Sequence, residues 1–155
     1  MTARIVSLNR SAGGVPKRQV EEAFIGVGGV TGDRQNDRRH HGGPDRAVSV
    51  YSLELIEQLQ LEGHPIAPGT AGENVTVAGV EWRAMQPGRR FSLGEAELEV
   101  TGFAAPCTTI RASFLDEGFT RISEKVNPGW SRIYARVLRE GRVRCGDEMR
   151  LLDRA

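Results

Sequence analysis

Glycine interrupts this chain so often that long helices have little room. Nineteen of the 155 residues are glycine, and they separate short apolar stretches, which is the pattern of many tight turns joining short strands. Arg4-Ile5-Val6-Ser7-Leu8 reads as a first strand. Lys17 to Val27 is ambiguous by periodicity, but the sharp turn signalled by Val27-Gly28-Gly29-Val30-Thr31-Gly32-Asp33 favours a strand there too. Ala47 to Tyr51, Asn74 to Val77, Arg90 to Leu93 and Ala96 to Thr101 follow as further short strands. Gly94-Glu95, with glycine first, joins the last two as a type II′ hairpin would.

One helix is expected with a full set of signals. Ser52 is its N-cap, Glu54 sits in its first turn, Leu53, Leu55, Ile56 and Leu59 make an apolar stripe, and Gly63 with Pro65 ends it. Trp82 to Gln86, Thr109 to Leu115 and Thr120 to Val126 read as short helical pieces. Arg132 to Leu138, Arg142 to Cys145 and Glu148 to Leu152 then read as a closing β-meander. The expected fold is mainly β: a single, closed or nearly closed, mostly antiparallel β-barrel-like domain spanning 1–155, with a few short peripheral helices. A chain of this length buries a sizeable core without staples.

Lys and Arg number 21 against 20 Asp and Glu. Such a balance gives no reason to expect a nucleic acid or an anionic membrane as partner. The first residues lack the apolar core of a signal peptide, and no apolar run reaches membrane-spanning length. The two cysteines, Cys107 and Cys145, have neither CxxC nor metal-knuckle spacing. A cytoplasmic, reduced protein is the expectation.

Three loops carry residues that folding alone does not demand. Gly32-Asp33-Arg34-Gln35 runs into His40-His41-Gly42-Gly43-Pro44-Asp45-Arg46. Glycine-rich backbone beside arginine is a general device for holding phosphate, and an ordinary solvated loop has the same composition. Ala71-Gly72-Glu73-Asn74 reads either as a turn in which Asn74 bonds backbone or as an amide presented to a ligand. In Ala105-Pro106-Cys107-Thr108-Thr109-Ile110, proline ends a strand just before a thiol, and Thr108 or Thr109 could cap the next helix and favour the thiolate. A buried small hydrophobe is the other reading of Cys107. A nucleophilic cysteine would draw on His40, His41 or His64 as base. Zinc held by Cys107, His40, His41 and Asp45 is chemically conceivable, as is a soft-metal site on the thiolate alone. Cys145 shares a strand face with Val143 and reads as core filler.

In this order, Val30 to Gln35, His41 to Val48, Gly72 to Thr76 and Pro106-Cys107 resemble the succession of motifs in MOSC domains, the family named for the C-terminal domain of molybdenum cofactor sulfurases. Gly129 to Val137 and Gly141 to Asp147 resemble that family's last strands, so the resemblance runs from the first strand to Leu152. It is nearest to the small stand-alone bacterial, YiiM-like members. It implies that Cys107 is the functional cysteine, as a thiolate ligand to molybdenum in a pterin (molybdopterin) cofactor or as a carrier of persulfide sulfur. In the first case N-hydroxylated bases or amidoximes would be reduced at the metal. Arg34, Arg46, Asn74 and the backbone at Gly42 and Gly43 would contact pterin or phosphate, while His41 and Asp45 would order the loop or move protons. In the second, Cys107 would take sulfane sulfur from a donor and pass it on. A non-catalytic storage or delivery module is the third reading, and one fold hosts all three. Whether the chain is an enzyme is left open by them.

The partners implied are a pterin cofactor or small-molecule substrate and a sulfur-donor or electron-transfer protein. Larger relatives carry a pyridoxal-phosphate desulfurase or an added β domain; pyridoxal phosphate is not expected in this chain. Relative to the stand-alone enzymes the sequence lacks a longer C-terminal helical extension, so the channelling or docking such an extension supplies is not expected either. For the structure, Cys107 is expected at least partly open to a cleft lined by the 32–46 and 72–74 loops.

Overall fold

The computed structural model describes residues 2–11, 15–31 and 43–153. Eight strands form one sheet. In chain order they are β1 (Arg4–Arg10), β2 (Arg18–Val20), β5 (Val48–Ser52), β6 (Val75–Ala78), β7 (Arg90–Leu93), β8 (Ala96–Ala104), β9 (Arg132–Arg139) and β11 (Met149–Leu151). Their spatial order is β11-β7-β8-β9-β5-β6-β1-β2. A second sheet, ordered β10-β3-β4, holds β3 (Glu22–Gly26), β4 (Gly29–Val30) and β10 (Gly141–Arg144). All pairs are antiparallel except β5 with β6, which are parallel and joined through helix α1 (Leu53–Leu61).

The local signals read from sequence shape these elements. Ser52 caps α1, its hydroxyl accepting from the Leu55 amide at 3.2 Å. Gly63 follows α1 at φ +98°, a conformation that β-carbons disfavour. At the β7–β8 hairpin Gly94 takes φ +54° while Glu95 stays at negative φ, as a type II′ turn requires. β8 runs on to Ala104, three residues beyond its expected end.

One expectation changes. The last strands are not a meander: β9 pairs with β5 and β8, β10 with β3, and β11 with β7. Glu140 alone separates β9 from β10, too little chain for a hairpin between them. The turn between β10 and β11 is taken by β1, with Ile5 donating to the Asp147 carbonyl and Gly146 donating to the Ile5 carbonyl, at 2.9 and 2.8 Å. Among the described residues the strands do not form a fully closed barrel. The large sheet ends at β11 and β2, and the start of β1 meets the entry to β11 through the single bridge Arg4–Glu148 and the hydrogen bonds around it.

The register places Leu8, Val75, Val50, Ile133 and Phe103 side by side across five strands, on the face that holds the apolar core. Ser7, Thr76 and Tyr51 pair in the adjoining register positions and face the other way, as do Ser49 and Tyr134. This second face is dry as well: Ser7, Asn9, Ser49, Tyr51, Thr76 and Arg132 are all buried. Irregular segments lie over it, and its side chains satisfy their backbone carbonyls. Asn9 Nδ2 donates to Glu73 O at 3.1 Å, the Tyr51 hydroxyl to Trp130 O at 2.6 Å and Arg132 Nη1 to Ala71 O at 2.7 Å. Buried loop backbone needs such partners, because it has no ladder of its own.

Candidate functional site around Cys107

Cys107 stands where β8 has ended and a 3₁₀ turn over Thr108–Ser113 begins. It is itself the N-cap residue of that turn, with extended backbone. Neither threonine caps it, contrary to the sequence expectation; instead Thr109 Oγ1 lies 2.8 Å from Cys107 Sγ. The thiol is partly exposed rather than sealed in the core.

Two links bring the Gly72–Asn74 turn to this junction. Arg132 donates to Ala71 O through Nη1 and to Ala104 O, at the end of β8, through Nη2 at 3.1 Å. Ser113, at the far end of the 3₁₀ turn, donates to Thr70 O at 3.1 Å and bonds Thr70 Oγ1 at 2.9 Å. Within the turn, Asn74 is buried and faces β5: its Oδ1 accepts from the Ser49 amide at 2.9 Å and lies 3.2 Å from Ser49 Oγ. Its backbone extends the sheet, with N donating to Ser49 O and O accepting from Asn9 N. Glu73 is fully buried. Its Oε2 accepts from Thr76 Oγ1 at 3.0 Å, and burial drives its carboxyl above the ordinary range against the opposing pull of backbone amides, Thr76 and Arg132.

The first loop re-enters the described residues at Gly43 (φ +97°), followed by a 3₁₀ turn over Pro44–Arg46. Gly29, at φ +117°, packs against Ala47: a β-carbon there would stand 2.6 Å from the Ala47 carbonyl oxygen, so only glycine lets the two ends of this loop approach. Arg46 places its guanidinium 5.5 Å from the ring centre of Tyr134. Asp45 is exposed; its carbonyl accepts from the Thr101 hydroxyl and its carboxylate lies 3.8 Å from Arg136. Burial raises the Tyr134 phenol above its usual range; Arg132 and Arg46 oppose that rise and Cys107 adds to it, so the three groups share one neighbourhood.

Of the expected site residues, Cys107, Gly43, Asp45, Arg46 and Asn74 are thus located, while Arg34, His41 and Gly42, with His40, lie outside the described residues. His64, the third histidine weighed as a base, accepts from the Leu115 amide at Nδ1 (3.0 Å) and stands 3.5 Å from Glu62 through Nε2. Among the described residues no three His, Cys, Asp or Glu are grouped to hold a metal ion. Cys145 is half-buried just past β10, its thiol donating to Val20 O at 3.4 Å. Arg132 and Tyr134 escaped the sequence reading, which took them only as part of the strand from Arg132 to Leu138.

The sequence profile of the MOSC domain matches residues 37–150. The chain belongs to the MOSC domain family. Membership supports a role related to molybdenum cofactor or to sulfur. This MOSC chain is 35% identical over 144 residues to the uncharacterized protein YflK of Bacillus subtilis, covering 91% of this chain and 64% of that one. It is 29% identical over 150 residues to YiiM of Escherichia coli, covering 90% and 64%. The chain therefore spans a little under two thirds of the length of these relatives. In fold, it resembles the crystal structure of YiiM from Geobacillus stearothermophilus, with a TM-score of 0.71 at 23% identity over 97% of this chain and 75% of that one. It also resembles YuaD of Bacillus subtilis, with a TM-score of 0.73 at 23% identity over 96% and 94%. No helix among the described residues is long and apolar enough to cross a membrane.

Proposed function

We propose that Cys107 is the working residue of a molybdenum-cofactor protein, its thiolate serving as a ligand to molybdenum held by a pterin. The observation that carries this reading is the placing of the sulfur: it lies just past the end of β8, partly exposed, within the neighbourhood of Arg46, Tyr134 and Arg132. The donor set fits such a group. A lone thiolate with no cluster of further ligands among the described residues suits a soft metal that arrives already held by an organic cofactor. When bound, the cofactor would supply the two-electron chemistry for reducing N-hydroxylated substrates. The chain's own part is to present the sulfur, to steady it through the Thr109 hydroxyl, and to offer the exposed Arg46 guanidinium and the backbone at Gly43 to an anionic group. Tyr134, its phenol neutral at pH 7 and pushed further up by burial, can donate a hydrogen bond there.

Exposure of the same thiol also suits sulfur carriage. There the thiolate would attack the outer sulfur of a donor persulfide, forming Cys107–S–SH and releasing the donor thiolate. The deciding measurement is molybdenum and pterin content per chain after gentle purification from a host that makes the cofactor. We expect both in stoichiometric amounts, and their loss in Cys107→Ala with folding intact. Absence of both, under conditions that load a related MOSC protein, overturns the cofactor reading and leaves persulfide uptake by Cys107 as the next assay.

A further inference from the structure

Arg132 opens β9 and is, among the described residues, the one buried arginine, with 7% of its surface exposed. A guanidinium this dry needs a reason, since the desolvation of a charge is costly unless its donors are used. It spends its fork on two carbonyls that are far apart in sequence. Nη1 holds Ala71 O, the residue before Gly72-Glu73-Asn74, at 2.7 Å; Nη2 holds Ala104 O, three residues before Cys107, at 3.1 Å. The planar fork fixes the angle between the two carbonyls as well as their distance, which a lysine point donor cannot do. The turn is laid directly on the arginine: Gly72 sits at φ +84°, and a β-carbon there would stand 4.0 Å from Nη1 and 3.1 Å from Val15. Arg132 also lies near enough to Glu73, Tyr51 and Tyr134 to oppose the rise that burial imposes on each, which places it among the groups on or over the same sheet face.

We propose that Arg132 is a positioning residue for Cys107. It does not touch the sulfur. It ties the end of β8, from which Cys107 projects, to the Gly72–Asn74 turn, so that the orientation and access of Sγ depend on the guanidinium fork. The inference rests on Cys107 being the working residue, and not on which group the thiol binds.

The test uses the full chain without cofactor and exploits its two cysteines. Iodoacetamide alkylation, resolved by peptide mass spectrometry, reads Cys107 as the site probe and Cys145, beside Val20, as the probe of the fold at large. In Arg132→Lys, which keeps the charge but loses the fork, the rate at Cys107 should differ from native by at least about five-fold, the scale of one hydrogen bond lost. Cys145 should stay within about two-fold, since it shares no partner with Arg132, and unfolding should remain cooperative. A profile of the Cys107 rate against pH is the second readout: Arg132→Lys should change its height and leave its midpoint in place. Arg132→Met extends the series, and if it fails to fold, the lysine variant decides alone. A native Cys107 rate in Arg132→Lys, or parallel changes at both cysteines, overturns the proposal. Failure of the metal measurement leaves this test standing, and an unmoved Cys107 leaves the metal measurement standing.

Discussion

On one face of the central strands Leu8, Val75, Val50 and Ile133 lie side by side in the core; on the other, Ser7, Thr76 and Tyr51 hold the adjoining register positions, and Arg132, just before Ile133, lies on that face. Both faces are dry. They differ in what they pack against. The apolar face meets other apolar side chains, and its stability comes from area removed from water and from close packing. The polar face meets irregular backbone, and its side chains supply the hydrogen bonds that the segments around 69–74 and 104–131 cannot make for themselves. Polar residues on a buried face are therefore how this fold holds loops, and the loops are where the candidate chemistry stands.

The largest effect that would sharpen this contrast is on the apolar face. Ile133→Ala should lower stability by about 2–5 kcal/mol, through lost transfer energy and the cavity left behind. Chemical denaturation reads the loss. The relative alkylation of Cys107 and Cys145 in the folded variant should stay close to native. A loss below about 1 kcal/mol would mean that this face is not packed as described.

Glu73→Gln breaks the comparison from the other side. Burial raises the folded carboxyl above the 4.5 of the free group. Between those two values the folded chain holds a proton that the unfolded chain has released, so Glu73 makes stability fall as pH rises from about 4.5, by up to roughly 1.4 kcal/mol per pH unit. Glutamine keeps the shape and cannot ionise. The stability difference between Glu73→Gln and native protein should then move in the variant's favour as pH rises through that window. A flat difference, or one that moves the other way, would show that backbone amides, Thr76 and Arg132 together offset or outweigh the burial of Glu73.

How far this contrast was legible in the sequence depends on what alternation can encode. Period two at Ile133, Ala135 and Val137 announces two unlike faces, but says nothing of whether the polar one, with Arg132 and Tyr134, meets water or a loop. The same limit hid Ser7, Asn9 and Thr76. Local signals fared better, because their cause is local: Ser52 before a leucine-rich stripe gave α1, Gly94-Glu95 gave a hairpin, and Pro106 marked the end of the strand before Cys107. Pairing was legible only where a short turn enforces it. Nothing in Gly146-Asp147 shows that β1 will occupy that turn and send β10 and β11 to different sheets. Nor does Thr109 advertise that its hydroxyl will face the thiol instead of capping the turn.

The smallest effect expected belongs to Tyr51→Phe, and it isolates one hydrogen bond between the polar face and its cover. The Tyr51 ring is fully buried and packs edge-on to Trp82 with centroids 5.9 Å apart, contacts that phenylalanine keeps. Only the hydroxyl is lost, and with it the 2.6 Å bond to the carbonyl of Trp130. Burial holds this phenol far above its ordinary range, so it stays a neutral donor at any pH the fold survives and the effect should not vary with pH. A typical net hydrogen bond sets the loss at about 0.5–1.5 kcal/mol. If polar side chains on this face serve to hold irregular backbone, amide exchange in the segment that precedes β9 should quicken by more than exchange in β5 itself. Uniform quickening of both would place Tyr51 among ordinary core residues and remove it from the set that anchors the loops.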